Sequence, residues 1–194
     1  MKNRFLLLSF LLMTVTASAQ VSWNARAGLN LSNVTNSDAN MKVGFNIGAG
    51  MDYAFTDLLS LQPSLLFTTK GATVSEGEIT GTVNAMYLEL PVLLAARIPV
   101  NQSVNVVITV GPYAACGVGG KASISSKGVS ISVDTFGEDN YNRFDAGIAT
   151  GLALEFSKFF VGLNGEFGLT NLNPADTGGD GKNVNYYLGV GYKF

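Results

Sequence analysis

The residues most able to do chemistry in this sequence are nine charged groups at alternate positions within otherwise apolar stretches. They are Arg26, Lys70, Arg97 and Lys193 against Asp52, Glu89, Asp145, Glu155 and Glu166. Carboxylates held close together offer general acid and base chemistry, and cations among them offer ion pairs or a proton path. Nucleophilic hydrolysis normally needs a serine activated by a histidine, and the chain has no histidine. Spacing marks out no pair of the acids, so the nine read as a structural interior polar network, with Glu89 and Arg26 expected at its core. Gly117–Lys121 (GVGGK) has Ala115 and Ala122 where a phosphate-binding loop needs glycine and Ser or Thr. Asp176–Gly181 (DTGGDG) lacks the spaced acids and closing glutamate of a calcium loop. It reads as a glycine-rich surface loop, and Glu138 and Asp139 read as solvated. No catalytic residue, cofactor or metal ligand is expected.

Alternate spacing requires strands, and the clearest is the last stretch, Asn185 to Phe194. Tyr186, Leu188, Val190, Tyr192 and Phe194 share one face, and Asn185, Tyr187, Gly189, Gly191 and Lys193 the other. The same period places strands at about Trp23–Leu31, Val43–Phe55, Leu58–Lys70, Thr82–Arg97, Val104–Gly119, Phe144–Phe156 and Phe159–Thr170. Each sets an apolar row against one carrying Gly, Asn and the charged residues above. Pro63 cannot donate to a ladder and predicts a local bulge. Thr56–Asp57, Ile98–Ser103 and Ser157–Lys158 are short turns. Ser32–Lys42, Gly71–Gly81, Gly120–Asn142 and Asn171–Asn183 read as long loops, and the SISSKGVSISV segment alternates enough to extend its hairpin.

Lys2 and Arg4, an apolar run from Phe5 to Val15 and an A-x-A site at Ala17 and Ala19 read as a secretory signal peptide over residues 1–19, leaving a barrel domain at 20–194. No cysteine stands at the cleavage point, so no lipoprotein anchor is expected. The 12 basic residues less Lys2 and Arg4, against 14 acidic ones, give a formal net charge of −4, which disfavours nucleic acid as a partner. The single Cys116 cannot form an internal disulfide. Charged residues make up 13% of the chain, about half the usual share, beside 47% hydrophobic residues and 23 glycines. No mature stretch approaches the ~18 apolar residues of a membrane helix.

Eight strands with connections alternating between short and long predict an all-β fold: an eight-stranded antiparallel up-and-down transmembrane β-barrel with short periplasmic turns and long extracellular loops. The outward aromatics sort into two membrane-interface girdles. Trp23, Tyr53, Phe55, Phe156, Tyr192 and Phe194 lie at the turn side, and Phe45, Phe67, Phe144, Phe167 and Tyr186 at the loop side. A soluble ligand-binding barrel would put the apolar row inside; the polar row is too poor in Lys and Glu for a solvated surface.

LSLQPSLLFTTKGA from Leu59, YLELPVLL at Tyr87–Leu94, VGPY at Val110–Tyr113, FDAGIATGLALEF at Phe144–Phe156 and FGLTNL at Phe167–Leu172 resemble the PorT-like outer-membrane β-barrel proteins of the Bacteroidetes. That family is loosely similar to small eight-stranded barrels of the OmpX and OmpA type. The resemblance covers Val21–Phe194 and implies an outer-membrane location, with no single role. The terminal Phe194 resembles the C-terminal signature read by the outer-membrane assembly machinery. Expected partners are outer-membrane lipid, that machinery through the C-terminal strand, and an unidentified ligand of the extracellular loops; a monomer is the expected state. The expected function is a surface or envelope-stabilising protein with a largely filled interior. A narrow channel or transporter lined by Asn24, Asn46, Asn164 and Asn185 is the alternative.

Overall fold

Period-two patterning gives long strands, and their pairing closes a ring. The computed structural model describes residues 20–36, 39–127, 129–136, 141–172 and 180–194. The segment read as a signal peptide, most of Asp176–Gly181, and Glu138 and Asp139 lie outside the described residues. Nine strands follow in order: β1 (Gln20–Val34), β2 (Asn40–Ala54), β3 (Leu59–Glu76), β4 (Ile79–Pro99), β5 (Val104–Ser126), β6 (Val129–Asp134), β7 (Phe144–Phe156), β8 (Phe159–Gly168) and β9 (Asn183–Lys193). All pairings are antiparallel. Eight strands form the closed ring β1-β2-β3-β4-β5-β7-β8-β9, sealed by β1 against β9. The ninth, β6, pairs with β5 beyond the ring, so the SISSKGVSISV segment extends its hairpin.

Opposed residues measure the stagger of the ring. From Val107 the path runs through Ala153, Gly162, Gly189, Gly28, Asn46, Thr68 and Tyr87 and returns to β5 at Gly117, ten residues further on. Over eight strands such a stagger tilts each strand by about 40° from the barrel axis, and the bore is then narrow enough for side chains to fill.

Apolar rows face outward, as in Leu29, Leu65, Leu90, Ile108, Leu152, Leu163 and Leu188, while Asn30, Lys70, Glu89, Asp145 and Glu166 are buried inside. Ring contacts link the girdle residues at each end. Tyr53 meets Phe55 and Tyr192 meets Phe194 at the turn end, and Phe45 meets Phe67 and Phe167 meets Tyr186 at the loop end.

Three expectations are corrected. Gly71–Gly81 is not a loop: β3 and β4 continue as a hairpin whose tip holds Gly77 at φ 57°, a left-handed conformation that glycine adopts without a Cβ penalty. The alternation persists there with its polarity reversed, which disguised it. Likewise β1 and β2 continue into the expected Ser32–Lys42 loop. Pro63 produces no bulge, because the β3–β4 register runs unbroken through Pro63 and Val92. The shifts fall between Met41 and Asn46, where Phe45 N–H donates to Thr69 Oγ1 at 2.8 Å, and between Met86 and Tyr87 opposite Gly117–Gly119.

Candidate functional site

Inside the ring the charged residues fall into two clusters at different heights. At the turn end, Asp52, Arg97, Glu155 and Lys193 close the strands β2, β4, β7 and β9. Each cation reaches both acids. Arg97 meets Asp52 and lies 3.3 Å from Glu155, while Lys193 lies 3.0 Å from Asp52 and meets Glu155. Gln62 Nε2 donates to Asp52 at 3.2 Å. These four also line the open turn-side mouth.

Toward the loop end, Lys70 of β3 stands alone among three acids: Glu89 at 2.6 Å, Glu166 at 2.8 Å and Asp145 at 3.9 Å. Neutral donors serve two of them. Asp145 accepts from Tyr113 Oη at 3.2 Å, Thr170 Oγ1 at 2.9 Å and Asn183 Nδ2 at 2.8 Å, and Glu166 accepts from Asn185 Nδ2 at 2.9 Å. The Lys70 ammonium also faces the rings of Tyr113 at 4.6 Å and Tyr87 at 5.8 Å from their centroids. Phe136, from the segment after β6, caps this cluster by packing edge-on against Tyr87 at 5.4 Å, in the space left by Gly117, where a Cβ would overlap the Phe136 ring.

Between the clusters β4 and β7 turn small or apolar residues inward, while β1, β2, β5 and β8 contribute Asn24, Arg26, Asn46, Thr109 and Asn164. On β4 they are Pro91, Leu93 and Ala95, and on β7 Gly147, Ala149, Gly151 and Ala153. Leu66 and Tyr87 are each 1% exposed and Leu93 5%. One expectation fails here. Arg26 is not at a network core with Glu89: its Nε and NH2 donate to Asn24 Oδ1 at 3.0 Å and its guanidinium faces the Phe160 ring at 5.4 Å. The inward asparagines are held by hydrogen bonds within the bore. Asn46 Nδ2 donates to Asn30 at 2.6 Å, and Asn30 Nδ2 donates to Thr68 Oγ1 at 2.8 Å. The void that Asn46 borders with Asn24, Arg26 and Asn164 measures about 50 Å³, room for about one or two waters. Among the described residues no acidic or cysteine cluster could hold a metal ion.

Above the girdle the wall carries on as a sheet of β3, β4, β5 and β6 whose two faces exchange character. Outward residues become polar: Thr73 and Ser75 on β3, Thr80, Thr82 and Asn84 on β4, Ser123 and Ser125 on β5, Ser130 and Ser132 on β6. Inward residues become apolar: Ala72, Val74, Val83, Ala122, Ile124, Ile131 and Val133. They line a cup of about 530 Å³ with Val34 and Tyr141. On β5 the exchange is made by the bulge opposite Met86, which turns even-numbered residues from the outer to the inner side. The sheet rises about 20 Å along the strands beyond Met86, at roughly 3.3 Å per residue. GVGGK lies within β5, not in a loop before a helix.

Antiparallel closure, an apolar outer belt between aromatic girdles and a filled interior define a small membrane β-barrel. Residues 16–173 match the family described as outer membrane protein beta-barrel domain, and the chain belongs to that family as an integral outer-membrane β-barrel protein. No curated protein sequence matches it. Among solved structures it is similar to neisserial surface protein A at 10% identity and a TM-score of 0.51, covering 91% of this chain and 99% of that one. It is also similar to Ail, the attachment invasion locus protein of Yersinia pestis, at 22% identity and a TM-score of 0.46, covering 90% and 97%. The outer-membrane enzyme PagL matches at 15% identity and a TM-score of 0.49, covering 87% and 98%.

Proposed function

We propose that this protein is a non-catalytic surface protein of the outer membrane whose barrel is a closed anchor and whose extracellular sheet and loops do the binding. The observation that carries this is the filled bore. Lys70 and its three acids, the rings of Tyr87 and Tyr113, and Leu66 and Leu93 occupy the cross-section with little space between them. A bore so filled has no continuous aqueous path, and function is left to the part outside the bilayer, where rigid walls present variable loops. The interior charges then serve as a structural ion-pair network. The finer expectations belong to the same proposal: a PorT-like relationship, a cleaved leader, and delivery by the assembly machinery through β9.

Single-channel conductance of the refolded protein in a planar bilayer tests it. Insertion with heat-modifiable gel mobility and no current steps is the expected result. Steady, reproducible steps would overturn it in favour of a narrow transporter lined by Asn24, Asn46 and Asn164.

A further inference from the structure

Natural sheets blunt their open edges with charge, proline, bulges or cover. Among the described residues the open edge of the extracellular sheet carries none of these over five residues. β6 pairs with β5 alone among the described residues, and from Val129 to Val133 it reads Val-Ser-Ile-Ser-Val, the same in both directions. Ile131 is 71% exposed and Val129 67%.

A palindromic strand is complementary to itself in the antiparallel sense. Turned about Ile131, a second copy sets Val129 against Val133, Ile131 against Ile131 and Ser130 against Ser132, so apolar meets apolar on one face and hydroxyl meets hydroxyl on the other. The chain already uses this chemistry internally. In the β5–β6 pair Ile124 lies opposite Ile131, and Ser125 opposite Ser130 with their Oγ atoms 2.7 Å apart. The flanking charges agree with it as well. Lys127, which also lies 3.2 Å from Glu78, stands before the strand, and Asp134, opposite Lys121 on β5, ends it, so antiparallel pairing brings the positive end of one copy toward the negative end of the other.

The stagger of the barrel settles where the second copy must be. Stepping from β5 toward β7 around the ring climbs from Val107 to Gly117, away from the turns, and β6 lies on that same side of β5. The free edge of β6 therefore faces obliquely away from the membrane. The dyad relating two antiparallel strands is normal to their sheet, and this sheet continues a wall that stands across the membrane. Rotation about such an axis inverts the barrel. Two copies in one membrane, related by an axis along the membrane normal, would instead cross their tilted strands and could form no ladder.

We propose that β6 is a homophilic docking strand, joining two copies of this chain anchored in opposed membranes by antiparallel pairing through Val129–Val133. The inference rests on the reading of the barrel as an anchor and names a partner for its surface. A five-residue ladder covers far less than the roughly 1,000 Å² of a stable complex. A single contact is therefore weak, and adhesion arises from many copies on facing membranes.

Vesicles of neutral phospholipid carrying the refolded chain test it by light scattering, with heat-modifiable mobility as the check on folding. Wild-type vesicles are expected to cluster. Ile131→Lys and Ile131→Glu should each abolish clustering, because like charges meet at the dyad, and mixing the two populations should restore it. Clustering that survives either substitution, or no return on mixing, would overturn the proposal. So would wild-type vesicles that stay dispersed. Dispersed vesicles of a barrel that passes no current refute the docking strand alone, whereas a conducting barrel refutes the anchor reading itself.

Discussion

The two charge clusters in the bore solve the same problem under different conditions. At the turn end, two cations meet two acids in a closed square whose side chains are 3–15% exposed. Charge balances there, and water at the open mouth can share the solvation. At the loop end one cation faces three acids, all of them 0–3% exposed. Charge does not balance, and Tyr113, Thr170, Asn183 and Asn185 make up part of the deficit with neutral donors. The difference teaches that the turn-end square tolerates loss of a member, because each acid keeps a second cation. The loop-end cluster hangs on a single ammonium.

Replacing that ammonium should give the largest effect. Lys70→Met keeps the length of the side chain and removes its charge, leaving three carboxylates in a dry interior. Breaking a buried pair by removing one partner costs about 3–5 kcal/mol. Urea titration in lipid vesicles, followed by heat-modifiable mobility, should show a loss of that size or a failure to fold. Stability within about 1 kcal/mol of wild type would mean that the loop-end cluster is as well hydrated as the other, and the contrast would collapse.

Lys193→Ala is the matching test at the turn end and should cost less. Arg97 still reaches both Asp52 and Glu155, and the site borders the open mouth, so the cost should fall below the roughly 3–5 kcal/mol of a fully buried pair. High salt should narrow the gap between Lys193→Ala and wild type, since pairs beside a water-filled mouth are screened more than fully buried ones. The gap for Lys70→Met should barely move.

The strands and their faces were legible in the sequence because a period of two survives wherever lipid lies on one side and a packed bore on the other. Height was not. Strand phase says which face Arg26 and Glu89 share, but the ten-residue stagger decides their level. Arg26 sits opposite Gly48 and Gly191, whereas Glu89 sits opposite Leu66 and Ala115. The same stagger brings Lys70 and Glu166 to 2.8 Å across 96 residues of chain. The extracellular sheet was misread as loop at Gly71–Gly81 because its alternation runs with reversed polarity above the membrane. Phe136 lies in a segment without periodicity. The one available sign of it was Gly117, an inward glycine at the mouth whose gap another side chain must fill.

Glu89→Gln should have the smallest effect and sharpen the contrast most. Of the three acids around Lys70, Glu89 is the one that accepts from no neutral donor among the described residues. Removing its charge brings the cluster closer to balance, and the glutamine keeps both its length and an oxygen for Lys70 to meet. Stability should stay closer to wild type than for either lysine variant, or rise, because the substitution removes surplus negative charge rather than the cluster's single cation. Lys70→Met combined with Glu89→Gln should then recover part of the single-variant loss, since neighbours sharing one ion-pair network are not additive. If Glu89→Gln instead costs as much as Lys70→Met, the bond from Lys70 to Glu89 outweighs the surplus of negative charge. The loop-end cluster would then be a pair with two bystanders.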